Sequence, residues 1–363
     1  FHESKITNAI LKAAQSVGDQ DREAAVALTL QVLRELKQLY GEVLFTVEDV
    51  QDIVEKVLIE NGHAKTAKAY ILYRAKRTRI RDAKSDLMDA VEEILKETNR
   101  ENANVSNSPS AKMLQIASAA SKNYYLNRLI PEDYAQAHRE GRIHIHDLDF
   151  YAKTLTCIHI PLKKLLENGF NNGHGYIRPP KRPASATALA AIILQSSQND
   201  MHGGQSFAFF DRDMAPFVEN ISEEETYQAM EAFVYNLNSM HSRAGAQVPF
   251  SSVNLGVDTS EGGRKVTRNL LLAYEQGLGR GENPIFPNIL FRLKKGVNFL
   301  PEDPNYDLFQ LALRVAGKRM NPTFSFMDSS FNSIYGDEVA YMGCRTRVIA
   351  NVNGPEVSDG RGN

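Results

Sequence analysis

Asn283-Pro284-Ile285-Phe286-Pro287-Asn288-Ile289-Leu290-Phe291 decides the architecture, because a turn rich in Pro and Asn runs directly into a short apolar stretch. Helical periodicity lies on both sides, at Val266 to Gly277 and at Leu308 to Lys318. The same alternation extends outward. Helical stretches at Lys112 to Leu129 and Glu223 to Met240 are interleaved with candidate strands at Ile143-His144-Ile145-His146, Ser251-Ser252-Val253-Asn254-Leu255 and Arg347-Val348-Ile349-Ala350. Asp303-Pro304-Asn305-Tyr306 marks another turn. Helices alternating with short apolar runs imply an α/β fold built on a large sheet or barrel.

Residues 1 to about 82 have a different texture and read as a four-helix unit. Ile6, Ile10, Ala13 and Ala14 line one face of a helix over Lys5 to Ala14; Ala24, Leu28, Val32, Leu36 and Leu39 do so from Asp21 to Tyr40. Thr46-Val47-Glu48-Asp49 reads as an N-terminal cap ahead of Val50, Ile53, Val54, Val57 and Leu58. Asn61-Gly62 stops that helix, and Ala64 to Arg79 forms the next. The charged, then polar stretch 83–110 reads as a connecting helix and an extended linker, so a domain boundary is expected there, with 111–363 as the α/β domain.

At 363 residues, 42% hydrophobic and 24% charged, with a net charge of −2, the chain suits a globular protein of two units and not a general nucleic-acid binder. No stretch reaches the roughly 20 apolar residues of a membrane span. Phe1-His2-Glu3-Ser4-Lys5 has neither an initiating Met nor an apolar signal core; it reads as a trimmed start, and a cytoplasmic location is expected. The two cysteines, Cys157 and Cys344, cannot make a disulfide scaffold, and without a Cys-x-x-Cys pair no four-thiolate zinc site is expected.

The chemistry-bearing residues leave alternatives open. Lys5, with Lys65, Lys68, Arg74, Lys76 and Arg77, offers cations for a triphosphate, although a Lys/Arg-rich helix face is also what a solvated surface presents. Cys157, in Leu155-Thr156-Cys157-Ile158, has the surroundings of a buried small hydrophobe. Cys344 lies between Gly343, which allows close backbone approach, and Arg345, which suits an anion. His144, His146 and His202 lack a third ligand at metal spacing, so no metal site is expected. His202-Gly203-Gly204-Gln205 reads as a tight turn more readily than as a phosphate cradle.

Phe1-x-x-x-Lys5-Ile6-x-x-Ala9-Ile10-x-x-Ala13, Thr46-Val47-Glu48-Asp49-Val50-Gln51-Asp52-Ile53-Val54-Glu55 and Ala67-Lys68-Ala69-Tyr70-Ile71-Leu72-Tyr73-Arg74 together resemble an ATP-cone domain over residues 1–82. The resemblance implies binding of ATP or dATP, with Lys5, Thr46, Gln51, Lys65, Lys68, Arg74 and Lys76 as effector contacts and Mg2+ accompanying the nucleotides. The family's opening strand pair would lie ahead of Phe1.

Downstream, Gly141-Arg142-Ile143-His144-Ile145-His146-Asp147-Leu148-Asp149 leads to Cys157 and Leu165-Leu166-Glu167-Asn168-Gly169-Phe170. Then follow Gln198-Asn199-Asp200-Met201-His202-Gly203-Gly204-Gln205, Gly277-Leu278-Gly279-Arg280, Met342-Gly343-Cys344-Arg345 and Asp359-Gly360-Arg361-Gly362-Asn363. This ordered set resembles the anaerobic, oxygen-sensitive class of ribonucleotide reductases over roughly 105 to 363. The resemblance implies a ten-stranded α/β barrel of the glycyl-radical-enzyme type and an allosterically regulated oxidoreductase. Such an enzyme reduces ribonucleoside triphosphates to deoxyribonucleoside triphosphates for DNA replication. It further implies a glycyl radical installed by a radical-SAM iron–sulfur activase, other dNTP effectors, formate as co-substrate, and at least a homodimer. Cys344 maps to the thiyl that abstracts the ribose 3′-hydrogen, and Cys157 to the thiol that supplies a hydrogen as the 2′-hydroxyl leaves. Met342 and Asn363 map to the same pocket, with His144, His146 and Arg345 expected around the substrate.

The family's remaining strands, its zinc cysteines and its radical-bearing loop would follow Asn363. The chain alone is therefore expected to be inactive and to belong to a longer polypeptide, since stopping there would strand apolar strand edges. Two other readings remain: a different glycyl-radical enzyme, and a cone-based nucleotide-sensing regulator with a catalytically dead remainder.

Overall fold

The computed structural model describes residues 2–41, 43–96, 108–152, 154–241, 247–335, 339–342 and 347–348; side chains of 79–85 lie outside that description. The chain divides into two compact units, Phe1–Glu93 and Ile94–Asn363.

The first unit is built from α1 (Glu3–Gln15), α2 (Arg22–Tyr40), α3 (Val47–Glu60) and α4 (Ala64–Lys96). The apolar faces legible in the sequence meet in one core containing Ile10, Val32, Val54, Val57 and Leu58. Asp21 caps α2 by accepting the Ala24 N–H at 2.9 Å. Thr46 and Asp49 form a reciprocal capping box at α3, with the Thr46 hydroxyl accepting from Asp49 N–H and the Asp49 carboxylate from Thr46 N–H. Such a box contributes on the order of 1 kcal/mol. One expectation changes: the helix from Ala64 does not end near Arg79 but continues to Lys96. Residues 80–96 hold neither Gly nor Pro, so nothing local interrupts it.

The second unit opens with α5 (Pro109–Tyr124), closed by a π turn over Tyr125–Leu129, and α6 (Glu132–Arg139). There follow β1 (Leu155–Ile160), α7 (Leu162–Asn168), β2 (Phe170–Asn171), β3 (Tyr176–Ile177), α8 (Pro183–Ser197), β4 (Met201–Phe207), α9 (Phe210–Val218) and α10 (Glu223–Ser239). The remainder is β5 (Ser251–Leu255), α11 (Glu261–Gln276), β6 (Asn288–Leu293), α12 (Tyr306–Arg319), β7 (Thr323–Phe326), β8 (Ala340–Tyr341) and β9 (Arg347–Val348). Five strands pair in the order β1-β4-β5-β6-β7, every pair parallel. Parallel neighbours need crossover segments, and α8, α9–α10, α11 and α12 supply them.

Strand alternation sorts the sheet into two unlike faces. Ile160, Phe207, Val253, Leu255, Ile289, Phe291 and Leu293 point into the main core with Phe210, Phe233, Leu270 and Leu308 from the helices. The intervening positions, His159, Ser206, Ser252, Asn254 and Arg292, form the other face.

Two expected elements are corrected. Ile143-His144-Ile145-His146 is not a strand but irregular chain. Its start is tied back to α6 by Arg142 and Ile143 N–H groups that both donate to Ala137 O, and Asp147 then turns left-handed at φ 48°. His202-Gly203-Gly204-Gln205 is not a tight turn but the centre of β4, because its backbone pairs with both β1 and β5. Of Arg347–Ala350, the first two residues form β9, and Ile349 and Ala350 lie outside the described residues.

Candidate functional site

The polar face of the sheet is where the cysteine lies. Cys157 sits at an irregularity in the β1–β4 register, between Thr156, opposite His202, and Ile158, opposite Gln205. Its φ of 51° is left-handed, a conformation that costs a residue with a Cβ on the order of 1 kcal/mol. Across the irregularity is Gly203, with φ 92°; a Cβ there would come within 2.9 Å of the Cys157 Sγ. Gly203 is thus required twice, for its backbone angle and for the space the thiol occupies. The thiol packs against a small apolar cluster of Ala208, Phe209, Ala340 and Met342. Two of the expected site residues, Cys157 and Met342, therefore meet there.

Ser206, Ser252 and Asn254 on this face are fully buried, which is costly unless every polar atom is paired. Ser252 Oγ donates to Gln205 O at 3.1 Å. Asn254 and Ser206 reach out of the sheet to the backbone of Tyr341. Asn254 Nδ2 and Ser206 Oγ both donate to Tyr341 O at 2.8 Å, and Tyr341 N–H donates to Asn254 Oδ1, also at 2.8 Å. His159, opposite Ser206, is mostly enclosed, and desolvation pushes its imidazole down to about 4. It is neutral at ordinary pH, and among the described residues neither ring nitrogen meets a hydrogen-bond partner.

Beside β1 and β4, His202 stacks on Phe150 with ring centroids 3.8 Å apart, its Nε2 lying 3.2 Å from Asp147 Oδ1. His146 approaches the same carboxylate at 3.5 Å, and its Nδ1 lies 3.4 Å from His144 Nε2. Both of these histidines are exposed, forming a chain of imidazoles and one carboxylate along the approach to β1. Cys344, Arg345 and Asn363 lie outside the described residues.

At the carboxyl ends of β4, β5 and β6 lies a second opening of about 260 Å³, where α/β sheets commonly bind ligands. Arg212 and Arg292 lie over the Phe209 ring at 3.9 and 4.5 Å, and Lys294 adds a third cation. Asp211 is completely buried there. It accepts from Gly256 N–H at 2.7 Å, and burial raises its carboxyl despite nearby Arg292.

The first unit has its own cavity, about 350 Å³, between α1, the start of α3 and α4. Lys5, Thr46, Gln51, Phe45 and Tyr70 line it, and Gln51 Oε1 is buried with no partner among the described residues. Of the expected cations, Lys5 alone lines it. Arg74 is turned instead to Glu55, Asp52 and Glu48 at 2.9, 2.5 and 2.8 Å, clamping α4 to α3. Lys65, Lys68 and Lys76 are exposed on α4 outside the lining.

Sequence reasoning missed His159, Ser206 and Asn254. Each alternates with apolar core residues, but β1 was not expected and β4 was taken for a turn, so no common face was visible. Asn254 had a signal of its own: an amide between Val253 and Leu255 in a short run of otherwise apolar residues and serines.

Comparison with known proteins follows the same division. The sequence model described as "ATP cone domain" matches residues 1–79. The model described as "Anaerobic ribonucleoside-triphosphate reductase" matches residues 101–363. The chain is 31% identical over 396 aligned residues to the anaerobic ribonucleoside-triphosphate reductase of Haemophilus influenzae, covering 100% of this chain and 55% of that protein. It is 32% identical over 399 residues to that of Escherichia coli, with the same coverage. The chain thus spans about half the length of the relatives it matches. Its fold is similar to a crystal structure of the anaerobic ribonucleotide reductase from Thermotoga maritima in complex with dATP and CTP. That match has a TM-score of 0.50 at 14% identity, over 69% of this chain and 50% of that one. With a thiol and Met342 together on the polar face of a parallel sheet and a family match over most of its length, the chain belongs to the anaerobic ribonucleoside-triphosphate reductases.

Proposed function

We propose that the chain is the cone-bearing and thiol-bearing part of an enzyme that reduces ribonucleoside triphosphates to deoxyribonucleoside triphosphates without oxygen. The observation that carries this is the setting of Cys157: a half-buried thiol at a left-handed backbone position on the polar face of the sheet, packed against Met342, two positions ahead of Cys344 in the chain. An S–H bond is weak enough to relay a radical to and from a C–H bond, and a thiyl survives only where water and stray reductants are kept out. In the net reaction, formate gives two electrons and becomes carbon dioxide while the 2′-hydroxyl leaves as water. Cys344 serves as the thiol that takes the 3′-hydrogen, and Cys157 as the one that gives a hydrogen at the 2′ side. His144, His146 and Arg345 serve the substrate, with Asn363 beside it. A glycyl radical, installed by a radical-SAM activase on another part of the polypeptide, supplies the initial oxidant; zinc binding also belongs to that part. A homodimer is the expected assembly.

The test is anaerobic turnover of CTP by the complete activated enzyme. Cys344→Ala is expected to abolish dCTP formation, and retained turnover would remove the assignment.

For the first unit the reading is an adenine-nucleotide site in the cavity at Lys5, Thr46 and Gln51, taking ATP or dATP with Mg2+. The buried Gln51 Oε1 matches the exocyclic amine of adenine, and Lys5 a phosphate. Calorimetry on the chain is expected to detect ATP binding, with Gln51→Leu weakening it by roughly tenfold or more, as loss of a buried hydrogen bond predicts. Unchanged affinity would move the site elsewhere.

A further inference from the structure

We infer that Asn254, assisted by Ser206, is a positioning residue. It holds the backbone of Tyr341 so that Met342 is seated in the apolar cluster against which Cys157 packs. The inference rests on the reductase reading for its consequence, but its geometry and its test are independent of turnover.

β5 is buried along its whole length, and the amide at the fourth of its five positions needs its polar atoms paired. One N–H of Asn254 Nδ2 stays within the sheet, shared between Phe207 O and Ser206 Oγ, each at 3.1 Å. The remaining bonds leave the sheet. The amide reads both polar groups of one residue, donating to Tyr341 O and accepting from Tyr341 N–H. A residue held at both its N–H and its C=O has the peptide units on either side of it fixed together. Ser206 Oγ adds a second donor to Tyr341 O, so that carbonyl uses both lone pairs. Leu or Val at position 254 would pack as well on a buried strand but take the Asn254 acceptor from Tyr341 N–H and leave Tyr341 O to Ser206 alone, which is why an amide stands there.

The consequence falls on the next residue. Met342 and Ala340 flank Tyr341, and both belong to the cluster with Ala208, Phe209 and the Cys157 thiol. β8 is only two residues long and pairs with the equally short β9, too little to orient a segment alone. The side-chain clamp therefore sets how Met342 meets the surroundings of Cys157.

The experiment is peptide-resolved alkylation of Cys157 by iodoacetamide in the full chain, comparing wild type, Asn254→Ala, Met342→Ala and the double variant. Asn254→Ala is expected to raise the Cys157 alkylation rate about tenfold, the effect of freeing a segment held by two net hydrogen bonds. Met342→Ala is expected to do the same, and the double variant to add little, because Asn254 acts through Met342. Ser206→Ala, which removes one donor and leaves the Asn254 pair intact, is expected to give a two- to threefold rise and serves if Asn254→Ala does not fold. No change in Cys157 reactivity in any variant would overturn the inference. So would fully additive effects, since they mean that Asn254 loosens the sheet and does not seat Met342.

Discussion

At its central strands β4, β5 and β6 the sheet is buried on both faces, yet the two faces are built by opposite rules. On the helix-covered face Phe207, Val253, Ile289 and Phe291 interdigitate with Phe210, Phe233 and Leu270, side chains that need no hydrogen-bond partner. On the other face Ser206, Ser252 and Asn254 are equally inaccessible, and each of these three side chains is committed to a hydrogen bond. The first face stabilises the fold by area removed from water. The second is neutral at best for stability and serves to hold a thiol and a chain segment at fixed places. One set of strands thus carries both duties, separated by the two-residue period of the backbone.

Substitution is the sharpest way to break this contrast. Phe207→Ala, a fully buried aromatic stacked near Phe210, is expected to cost about 3–5 kcal/mol in urea denaturation. A loss near 1 kcal/mol would mean that the helix-covered face is not the principal core.

A smaller effect separates the faces by pH. His159, on the polar face, is neutral in the fold because burial lowers its imidazole from 6.5 to about 4. Between those values the unfolded chain binds more protons, so this group makes stability fall as the solution is acidified from pH 6.5 towards 4. Asp213, in α9 on the helix side, has the opposite sign. Burial raises its carboxyl from 3.8 to about 7, so the folded chain holds the extra proton and stability falls as pH rises through that range. In pH-dependent thermal unfolding, His159→Gln is expected to remove the acid-side loss, and Asp213→Asn the loss towards neutrality. Parallel curves for either variant and wild type would mean that the group is solvated.

Much of this was legible in the sequence where the period was clean. Ser251–Leu255 is β5 as read, and Asn288–Phe291 lies inside β6, because turn residues bracket apolar runs too short for helices. The helices of the first unit are equally plain, since Thr46, Asp21 and an unbroken 3.6-residue rhythm state where they begin and which side they bury. The polar face was not legible. Leu155–Ile160 alternates poorly because Cys157 sits at a register irregularity, and Gly203-Gly204 imitates a turn in a strand that needs glycine for the thiol beside it. The pairing of Asn254 with Tyr341 joins residues 87 positions apart, and local pattern carries no trace of such a contact. Lys65, Lys68 and Lys76 illustrate the converse: charge at helical spacing located a helix face but not the cavity.

In the proposed reaction the two thiols have different duties, Cys344 opening the chemistry and Cys157 completing it. The most direct measurement follows 3′-tritiated CTP with the activated complete enzyme carrying Cys157→Ala, scoring both dCTP formation and release of tritium to water. The account predicts that dCTP formation is lost while tritium release continues, with the unfolding transition unchanged. Wild-type dCTP formation by Cys157→Ala would contradict it.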